Sequence, residues 1–130
     1  MTDVSERLKE LRRNMIRTNY FVAFSKLVKS MDDLIEVLPD HLEYLIDLEK
    51  RGILFASGPF LDKNYQIQGD GMSIYRADSF EEVETFAKND PFFKAGIRTF
   101  GLREWQVNEG SYTVTVRYSD STFDIDPRVG

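Results

Sequence analysis

The sequence predicts one α+β domain in which four strands and two helices follow each other in the order β-α-β-β-α-β. Two patterns support this order. Apolar residues switch between strand-length runs and helical spacings of three and four, and serines and prolines stand where helices would begin. A chain of 130 residues with 42% hydrophobic content is also the size of one ordinary domain that buries its own core.

Before this domain, the sequence predicts an amphipathic helix at residues 4–17. Val4, Leu8, Leu11 and Met15 recur there at spacings of three and four, which places them on one stripe of a helix. That stripe has to pack either on the protein's own body or on a second subunit.

The domain begins with a predicted buried strand, "NYFVAFSKLV", at residues 19–28. This segment is rich in aromatic and β-branched residues over one strand length. Ser30, with Asp33 three positions on, resembles a capping signal for a short helical turn that runs to Leu38.

A second helix is expected to begin at Pro39, because the first turn of a helix does not need the missing N–H of proline. It would end at Arg51, with Gly52 at its exit. The next strand, "ILFASGPF" at residues 53–60, is stopped by its Gly-Pro pair, and the segment 62–71 is a predicted loop.

The second half of the domain repeats the alternation of strand and helix. "MSIYRA" at residues 72–77 is the third predicted strand. Ser79 and Glu82 form a predicted capping box for a helix over residues 80–89, and the fourth strand is expected at residues 97–107.

Beyond the fourth strand, residues 111–118 are a predicted fifth strand, and the tail that follows is polar with little core-forming content. We therefore divide the chain into a helical extension (residues 1–18), the α+β domain (19–108), and a C-terminal strand and tail (109–130).

The predicted order of elements is that of the ferredoxin-like fold, in which both helices cover one face of the sheet. We expect the other face to carry large residues such as Phe21, Phe55, Tyr75 and Phe100. Because an extended apolar face is rarely left in water, two such sheets are expected to pack together in a homodimer.

His41, the only histidine in the chain, is one of two candidates for chemistry. A rotation of about 100° per residue places it on the helix stripe of Leu34, Leu45 and Leu48, so that it points inward. Such a histidine is most often a core residue with one satisfied nitrogen, and the alternative is a general acid or base. A transition-metal site is disfavoured, since no second histidine and no cysteine completes a ligand set.

Asp90 stands directly before Pro91 in "NDPFFKAGI", and two roles are open for it. Proline disfavours helical geometry in the preceding residue, so Asp90 can cap a short helix that begins at Pro91 and ends at Gly96. Alternatively, its carboxylate orients His41 and stabilises the charged imidazole, so that the two residues act as a general acid/base dyad.

Ser57 alternates with Ile53 and Phe55 onto one face of the second strand, as a residue for hydrogen bonding or for packing. No base lies nearby in sequence to activate it as a nucleophile. Gly58 and Pro59 fit the end of a strand better than a phosphate cradle.

Composition excludes several classes of function. A net charge of -5 and a pI near 4.9 disfavour a nucleic-acid binder, which needs a basic face. The absence of cysteine excludes disulfides, thiolate metal ligands and cysteine nucleophiles. No segment has the apolar length of a secretory signal or of a membrane span, so we expect a soluble cytoplasmic protein.

Two motifs together resemble the YciI-like family of the dimeric α+β barrel superfamily: "PDHLEYLIDLEKRGILFASGPF" and "SFEEVETFAKNDPFFKAGI". The resemblance implies a ferredoxin-like protomer, a sheet-to-sheet dimer that forms the α+β barrel, and an active-site pair made of His41 and Asp90. Many members have an arginine where this chain has Leu38. If that arginine binds an anionic substrate, Arg98 or Arg103 would take its role.

Relatives in that superfamily include a metal-free dehydrochlorinase of a chlorinated hydroxyhydroquinone, muconolactone isomerases and cofactor-free monooxygenases. The resemblance therefore implies a small lyase or isomerase without cofactor or metal, in which His41 moves a proton on an oxygenated aromatic-derived compound or a lactone and Asp90 fixes its tautomer. The expected substrate-binding residues are Ser57, Gly58, Pro59 and Arg98.

Three alternatives remain for the function. One is a non-catalytic dimer that binds a small molecule, and a second is a cofactor-free monooxygenase. The third is an assembly protein that docks a partner through residues 1–18. In each case we expect no nucleic-acid or membrane partner.

Overall fold

A computed structural model describes residues 3–126, which form ten helices and strands. In chain order these are α1 (Val4–Arg12), β1 (Thr18–Leu27), α2 (Met31–Lys50), β2 (Leu54–Leu61), β3 (Ile67–Tyr75), α3 (Phe80–Lys88), α4 (Pro91–Lys94), β4 (Arg98–Val107), β5 (Thr113–Arg117) and β6 (Thr122–Asp126). The ends of the two predicted extensions, residues 1–2 and 127–130, lie outside the described residues. None of the helices found in the described part is long and apolar enough to cross a bilayer.

The chain divides into two compact units. The central unit is Asn19–Gln106, and the flanking unit consists of the residues on either side of it. Each unit has its own sheet, with the strand order β2-β3-β1-β4 in the central unit and β5-β6 in the flanking unit.

The four-stranded sheet has the strand order of a ferredoxin-like fold, which confirms the predicted α+β class. β3 pairs antiparallel with both β1 and β2. In this register Phe21 lies opposite Tyr75, and Ser57 lies opposite Ser73.

The core lies between this sheet and the helices α2 and α3. Phe21 and Tyr75 are buried there together with Leu48 of α2 and Val83 of α3. The expectation that Phe21 and Tyr75 line the uncovered face was therefore wrong. Alternation along a strand separates two faces, but it does not tell which face meets the helices.

Two other aromatic residues complete the assignment of the faces. Phe100 contacts Phe93 of α4, with ring centroids 5.0 Å apart, so it too lies on the helix side and not on the uncovered one. Phe55 instead contacts Tyr20, with ring centroids 4.7 Å apart, on the second face of the sheet.

α2 is one helix of 20 residues that continues through Pro39, where the sequence predicted two separate helices. The predicted cap at its start is present, because the Ser30 hydroxyl accepts from the Asp33 N–H at 3.1 Å and the Asp33 carboxylate accepts from the Ser30 N–H. An internal proline costs about 3 kcal/mol. Burying a leucine stabilises by about 1.5–3 kcal/mol, and α2 buries three of them on one stripe together with His41, so burial outweighs the proline.

The C-terminal region contains more structure than the predicted polar tail. β6 pairs antiparallel with β5, so that Val114 faces Ile125 and Val116 faces Phe123. The sequence predicted one strand followed by a polar tail, whereas the alternation in "TFDID" belongs to a second strand.

Two further boundaries differ from the prediction. α1 ends at Arg12 and not at residue 17. β3 begins at Ile67, inside the predicted loop. The turn before it is tight and ends at Gln66, because the Asp62 carboxylate accepts hydrogen bonds from the backbone N–H groups of Asn64 and Gln66.

Candidate active site

His41 lies on the buried stripe of α2, two residues after Pro39. The residue is 7% exposed and shares the stripe with Leu34 and Leu45, as the helical spacing predicted. A buried imidazole needs a hydrogen-bond partner, and in this position the partner has to come from another element.

Asp90 is that partner, and it also caps α4. Its Oδ1 accepts a hydrogen bond from the backbone N–H of Phe92 at 2.9 Å and lies 2.8 Å from Nδ1 of His41. Pro91 favours extended geometry in Asp90, which has φ −62° and ψ 128°. One carboxylate thus both caps α4 and contacts His41.

The contact with Asp90 defines the roles of the two imidazole nitrogens. An ionised carboxylate only accepts hydrogen bonds, so Nδ1 of His41 carries the proton and donates it to Asp90. In the neutral ring, Nε2 then has a free lone pair. Within residues 3–126, no other group bonds to that nitrogen. The imidazole can therefore accept a proton at Nε2 while Nδ1 stays bonded to Asp90.

Phe92 fixes the plane of the imidazole. It is 1% exposed and stacks on His41, with ring centroids 4.0 Å apart and an angle of 18° between the planes. The guanidinium of Arg98 lies over the same phenyl ring at 4.7 Å, and its Nε donates to the carbonyl oxygen of Gly69 at 2.7 Å. One buried phenyl ring therefore orients both flat polar groups.

Three ionisable groups near Asp90 have shifted pKa values, and two of them, Tyr44 and Arg98, lie in the surroundings of the cavity or of helix α2. The pKa of Tyr44 is raised to about 12, mainly by burial and secondly by the negative charge of Asp90. The Tyr44 hydroxyl donates a hydrogen bond to the carbonyl oxygen of Phe86 at 2.7 Å. Burial lowers the pKa of Arg98, although Asp90 and Asp70 act in the opposite direction. Tyr44 is thus a neutral hydrogen-bond donor near pH 7.

A cavity of about 560 Å³ lies beside His41 in the central unit. Ser57 and Arg98 contribute further polar residues to its wall, which Gly58 and Pro59 also line. The apolar part of the wall includes Leu34, Leu38, Leu42, Leu45, Ile46, Leu54 and Ile67. The fold thus brings together five of the six predicted site residues, while Asp90 contacts the cavity only through His41.

The positions of Leu38 and Arg103 answer the question raised by the missing arginine. Leu38 is part of the cavity wall, so the wall is apolar at that position. Arg103 lies beside Val22, Phe24 and Trp105 on the second face of the sheet. Of the two candidate arginines, Arg98 is the one that lines the cavity.

Ser57 reaches the cavity because β2 is irregular. A register shift between Leu54 and Ala56 breaks the alternation of the strand. Ser57 and Phe55 therefore lie on opposite faces, whereas the sequence predicted that they share one. The Ser57 hydroxyl instead lies 2.7 Å from the hydroxyl of Ser73 on β3. This hydrogen bond satisfies the hydroxyl of the buried Ser73 and holds Ser57 at the cavity.

With this geometry in place, comparison with known proteins identifies the family. The model of the YCII-related domain matches residues 19–106, well over half of the chain. The chain belongs to the YCII-related family. The predicted resemblance is therefore confirmed.

One solved structure with a similar fold is that of the 5-chloro-2-hydroxyhydroquinone dehydrochlorinase (TftG) from Burkholderia phenoliruptrix AC1100, in complex with 2,5-dihydroxybenzoquinone. The two chains are 26% identical, with a TM-score of 0.54, and the match covers 68% of this chain and 93% of that one. A search of curated proteins found no match.

Sequence reasoning missed three residues that build the site. Phe92 and Ser73 carry no distinctive spacing, since their roles depend on partners far away in the chain. Gly71 carries a detectable signal, because a glycine inside a strand indicates a close approach of another group. A Cβ added there would lie 3.2 Å from Nη1 of Arg98.

Proposed function

We propose that this protein is a small lyase or isomerase of oxygenated aromatic-derived compounds or lactones, working by acid/base catalysis and without a cofactor. One observation carries the proposal: Nδ1 of His41 is bonded to Asp90 at 2.8 Å, while the imidazole lies in the wall of an apolar cavity. The similar dehydrochlorinase, solved with a dihydroxybenzoquinone, supports a substrate of this kind. The functional domain would be residues 19–108.

The proposed reaction starts when Nε2 of His41 removes a proton from a carbon or hydroxyl of the bound ring. The electron pair left behind forms a new double bond, and a leaving group on a saturated carbon of the ring's keto tautomer departs with its own bonding electrons, after which His41 releases the proton to solvent. Asp90 stabilises the imidazolium that forms and keeps its orientation. In an isomerisation, the imidazolium returns the proton to a different atom of the same substrate.

General base catalysis of this kind contributes about 10²–10⁴-fold to a rate. That is sufficient only for substrates with an acidic proton, such as phenols and carbon acids next to a carbonyl group. Apolar side chains of the wall would hold the ring, while Ser57 and Arg98 would orient its oxygen substituents. Gly58 and Pro59 would shape the wall with backbone atoms.

The protein is further proposed to act as a homodimer. The second face of the central sheet carries Phe24 and Trp105, which are 43% and 44% exposed. Covering such side chains with a second copy would remove apolar surface from water, and twofold pairing is the commonest arrangement of identical chains.

The proposal is tested by turnover of 5-chloro-2-hydroxyhydroquinone and related halogenated phenols, measured as release of chloride. We expect His41→Gln to lower kcat by about 10²-fold or more, because the base is removed. Asp90→Asn retains a good helix cap, so its expected loss of about tenfold or more reports the lost carboxylate and not unfolding.

Arg51→Gln serves as the control, since that side chain is exposed and lines neither the cavity nor the second face of the sheet. It should leave kcat unchanged. An unchanged rate in His41→Gln would contradict the proposed mechanism. Tight binding of these compounds with no turnover would instead favour the small-molecule-binding alternative.

A further inference from the structure

Arg98 is a cation in the wall of the cavity. Its Nε is occupied by the carbonyl oxygen of Gly69 at 2.7 Å, and its guanidinium is oriented by Phe92. Across residues 3–126, no carboxylate forms an ion pair with it, and neither of its terminal amino groups donates a hydrogen bond. Those two amino groups remain available for a ligand.

This arrangement is costly for the free protein. Moving a cation out of water without a counter-charge is unfavourable. The lowered pKa of Arg98 has burial as its main cause, and the charges of Asp90 and Asp70 do not compensate fully. A surface arginine avoids this cost by extending into solvent, whereas Arg98 is held in place by two separate contacts.

The backbone around the guanidinium is also kept clear. Gly71 does not have a positive φ, so its conformation does not require glycine. A Cβ added there would nevertheless lie 3.0 Å from the carbonyl oxygen of Gly58, 3.2 Å from Nη1 of Arg98 and 3.4 Å from Nη2. The absence of a side chain at Gly71 thus lets the guanidinium lie against the backbone of β3.

The remaining charged groups of the cavity are compatible with a bound anion. Glu49 is the acidic residue of the wall, and it is exposed. It lies eight residues after His41 on α2, about 12 Å further along the helix axis. Asp90 is engaged with His41 and with the backbone N–H of Phe92.

We propose that the cavity binds its ligand as an anion, with an oxyanion conjugated to a flat apolar ring placed against the terminal amino groups of Arg98. A planar guanidinium matches two acceptor oxygens or one oxyanion, and a charge-assisted bond in an apolar site is stronger than a neutral one. This inference rests on the proposed function in that the same ring presents its acidic proton to His41. Substrates would accordingly be phenolates, enolates or carboxylates.

The test compares two planar probes of nearly equal size, benzoate and benzamide, by isothermal titration calorimetry on the full chain at pH 7.5. We expect the wild type to bind benzoate at least about tenfold more tightly, in line with the strength of charge-assisted hydrogen bonds. Arg98→Gln should bind the two probes equally. Arg51→Gln, which removes an exposed arginine outside the cavity, should keep the preference.

A second probe, 4-nitrophenol, separates phenolates from carboxylates because its ionised form absorbs visible light. Binding near Arg98 should increase the ionised fraction at a fixed pH below its solution pKa, and Arg98→Gln should remove that increase. Enhanced ionisation together with weak benzoate binding would assign the site to phenolates, and benzoate binding without enhanced ionisation would assign it to carboxylates.

Three results would overturn the inference: equal affinity of the wild type for benzoate and benzamide together with unchanged ionisation of 4-nitrophenol, no binding of any probe, or an undiminished preference in Arg98→Gln. If Arg98→Gln does not fold, Arg98→Lys replaces it, since lysine keeps the charge but loses the planar fork. It should then bind benzoate more weakly than the wild type and still prefer it to benzamide.

His41→Gln distinguishes this inference from the proposed function. Its preference for benzoate should match that of the wild type, because the base does not contact the anion. A chain that prefers benzoate but turns over no substrate would overturn the proposed function alone. A chain that turns over substrate and shows no anion preference would overturn only the anion site.

Discussion

The central and flanking units contain similar apolar residues but bury them very differently. All of the buried hydrophobic residues in the described chain lie between Tyr20 and Ile97, inside the central unit. In the flanking unit, as far as residues 3–18 and 107–126 are concerned, no residue is buried. Amphipathic patterning is thus present in both units, while a packed core is present in only one.

The ribbon formed by β5 and β6 makes the contrast clear. Its register places Val114, Val116, Phe123 and Ile125 on one face, and these side chains are 48–63% exposed. An isolated two-stranded hairpin is marginally stable at best in water. The difference between the units teaches that a correct alternation of apolar residues identifies a strand, but does not supply the layer that would stabilise it.

The largest expected effect comes from truncating a buried leucine of the central unit to alanine, and the same truncation in the flanking unit is its comparison. Leu48 is 1% exposed, so Leu48→Ala leaves a cavity in the core and should lower the free energy of unfolding by about 2–5 kcal/mol. Leu11→Ala, at a position that is 62% exposed, should change it by less than about 0.5 kcal/mol. Urea unfolding followed by circular dichroism measures both. Similar losses for the two variants would mean that the flanking unit contributes to the same core.

A smaller effect is expected from the helix caps, since each unit has a helix capped by aspartate. Asp90→Ala removes the bond to the Phe92 N–H and the partner of His41, and should cost about 1–2 kcal/mol in urea unfolding. Asp90→Asn retains a capping oxygen and should cost less. Asp3→Ala, at the start of α1, should give no measurable change, because nothing is buried by that helix. A cost in Asp3→Ala as large as that in Asp90→Ala would break the comparison.

These caps also mark how much of the molecule was predictable from sequence. Ser30 and Ser79 were assigned correctly as caps, and capping was one of the two roles left open for Asp90, because a cap bonds within three residues and its signal is local. The inward position of His41 followed equally from helical spacing. Its contact with Asp90 spans 49 residues, so spacing left that contact open and only the fold decided it.

The errors have the same origin. Pro39 predicted a helix boundary on local grounds, but packing of the helix stripe kept α2 continuous. Phe21 and Tyr75 were placed on the wrong face, because the choice of face depends on where helices pack. Ser57 was misassigned through a register shift in β2, which has no signal in the strand's alternation. Local rules thus predicted the caps, and long-range packing determined the rest.

The pH dependence of stability tests the electrostatics of the central unit. The pKa of Tyr44 is raised to about 12, so its phenol stays neutral in the folded chain where the unfolded chain ionises near pH 10. The stabilisation from this group is therefore present below pH 10 and is lost as the pH rises from 10 towards 12. Tyr44→Phe should show a shallower loss of stability over that interval, measured by urea unfolding at several pH values. An identical slope in variant and wild type would remove Tyr44 from the alkaline transition.

The smallest expected effect concerns ion pairs, which occur in both units. Arg117 pairs with Asp124 across the ribbon, and Lys88 pairs with Glu84 along α3, with all four side chains about half exposed or more. Exposed pairs are worth about 0–1 kcal/mol wherever they lie, so Arg117→Gln and Lys88→Gln should give small and equal losses in urea unfolding. Equal losses would attribute the difference between the units to burial alone. A loss in Arg117→Gln comparable to that in Leu48→Ala would instead mean that charge holds the ribbon together, and raising the salt concentration should then weaken the wild-type ribbon by a similar amount.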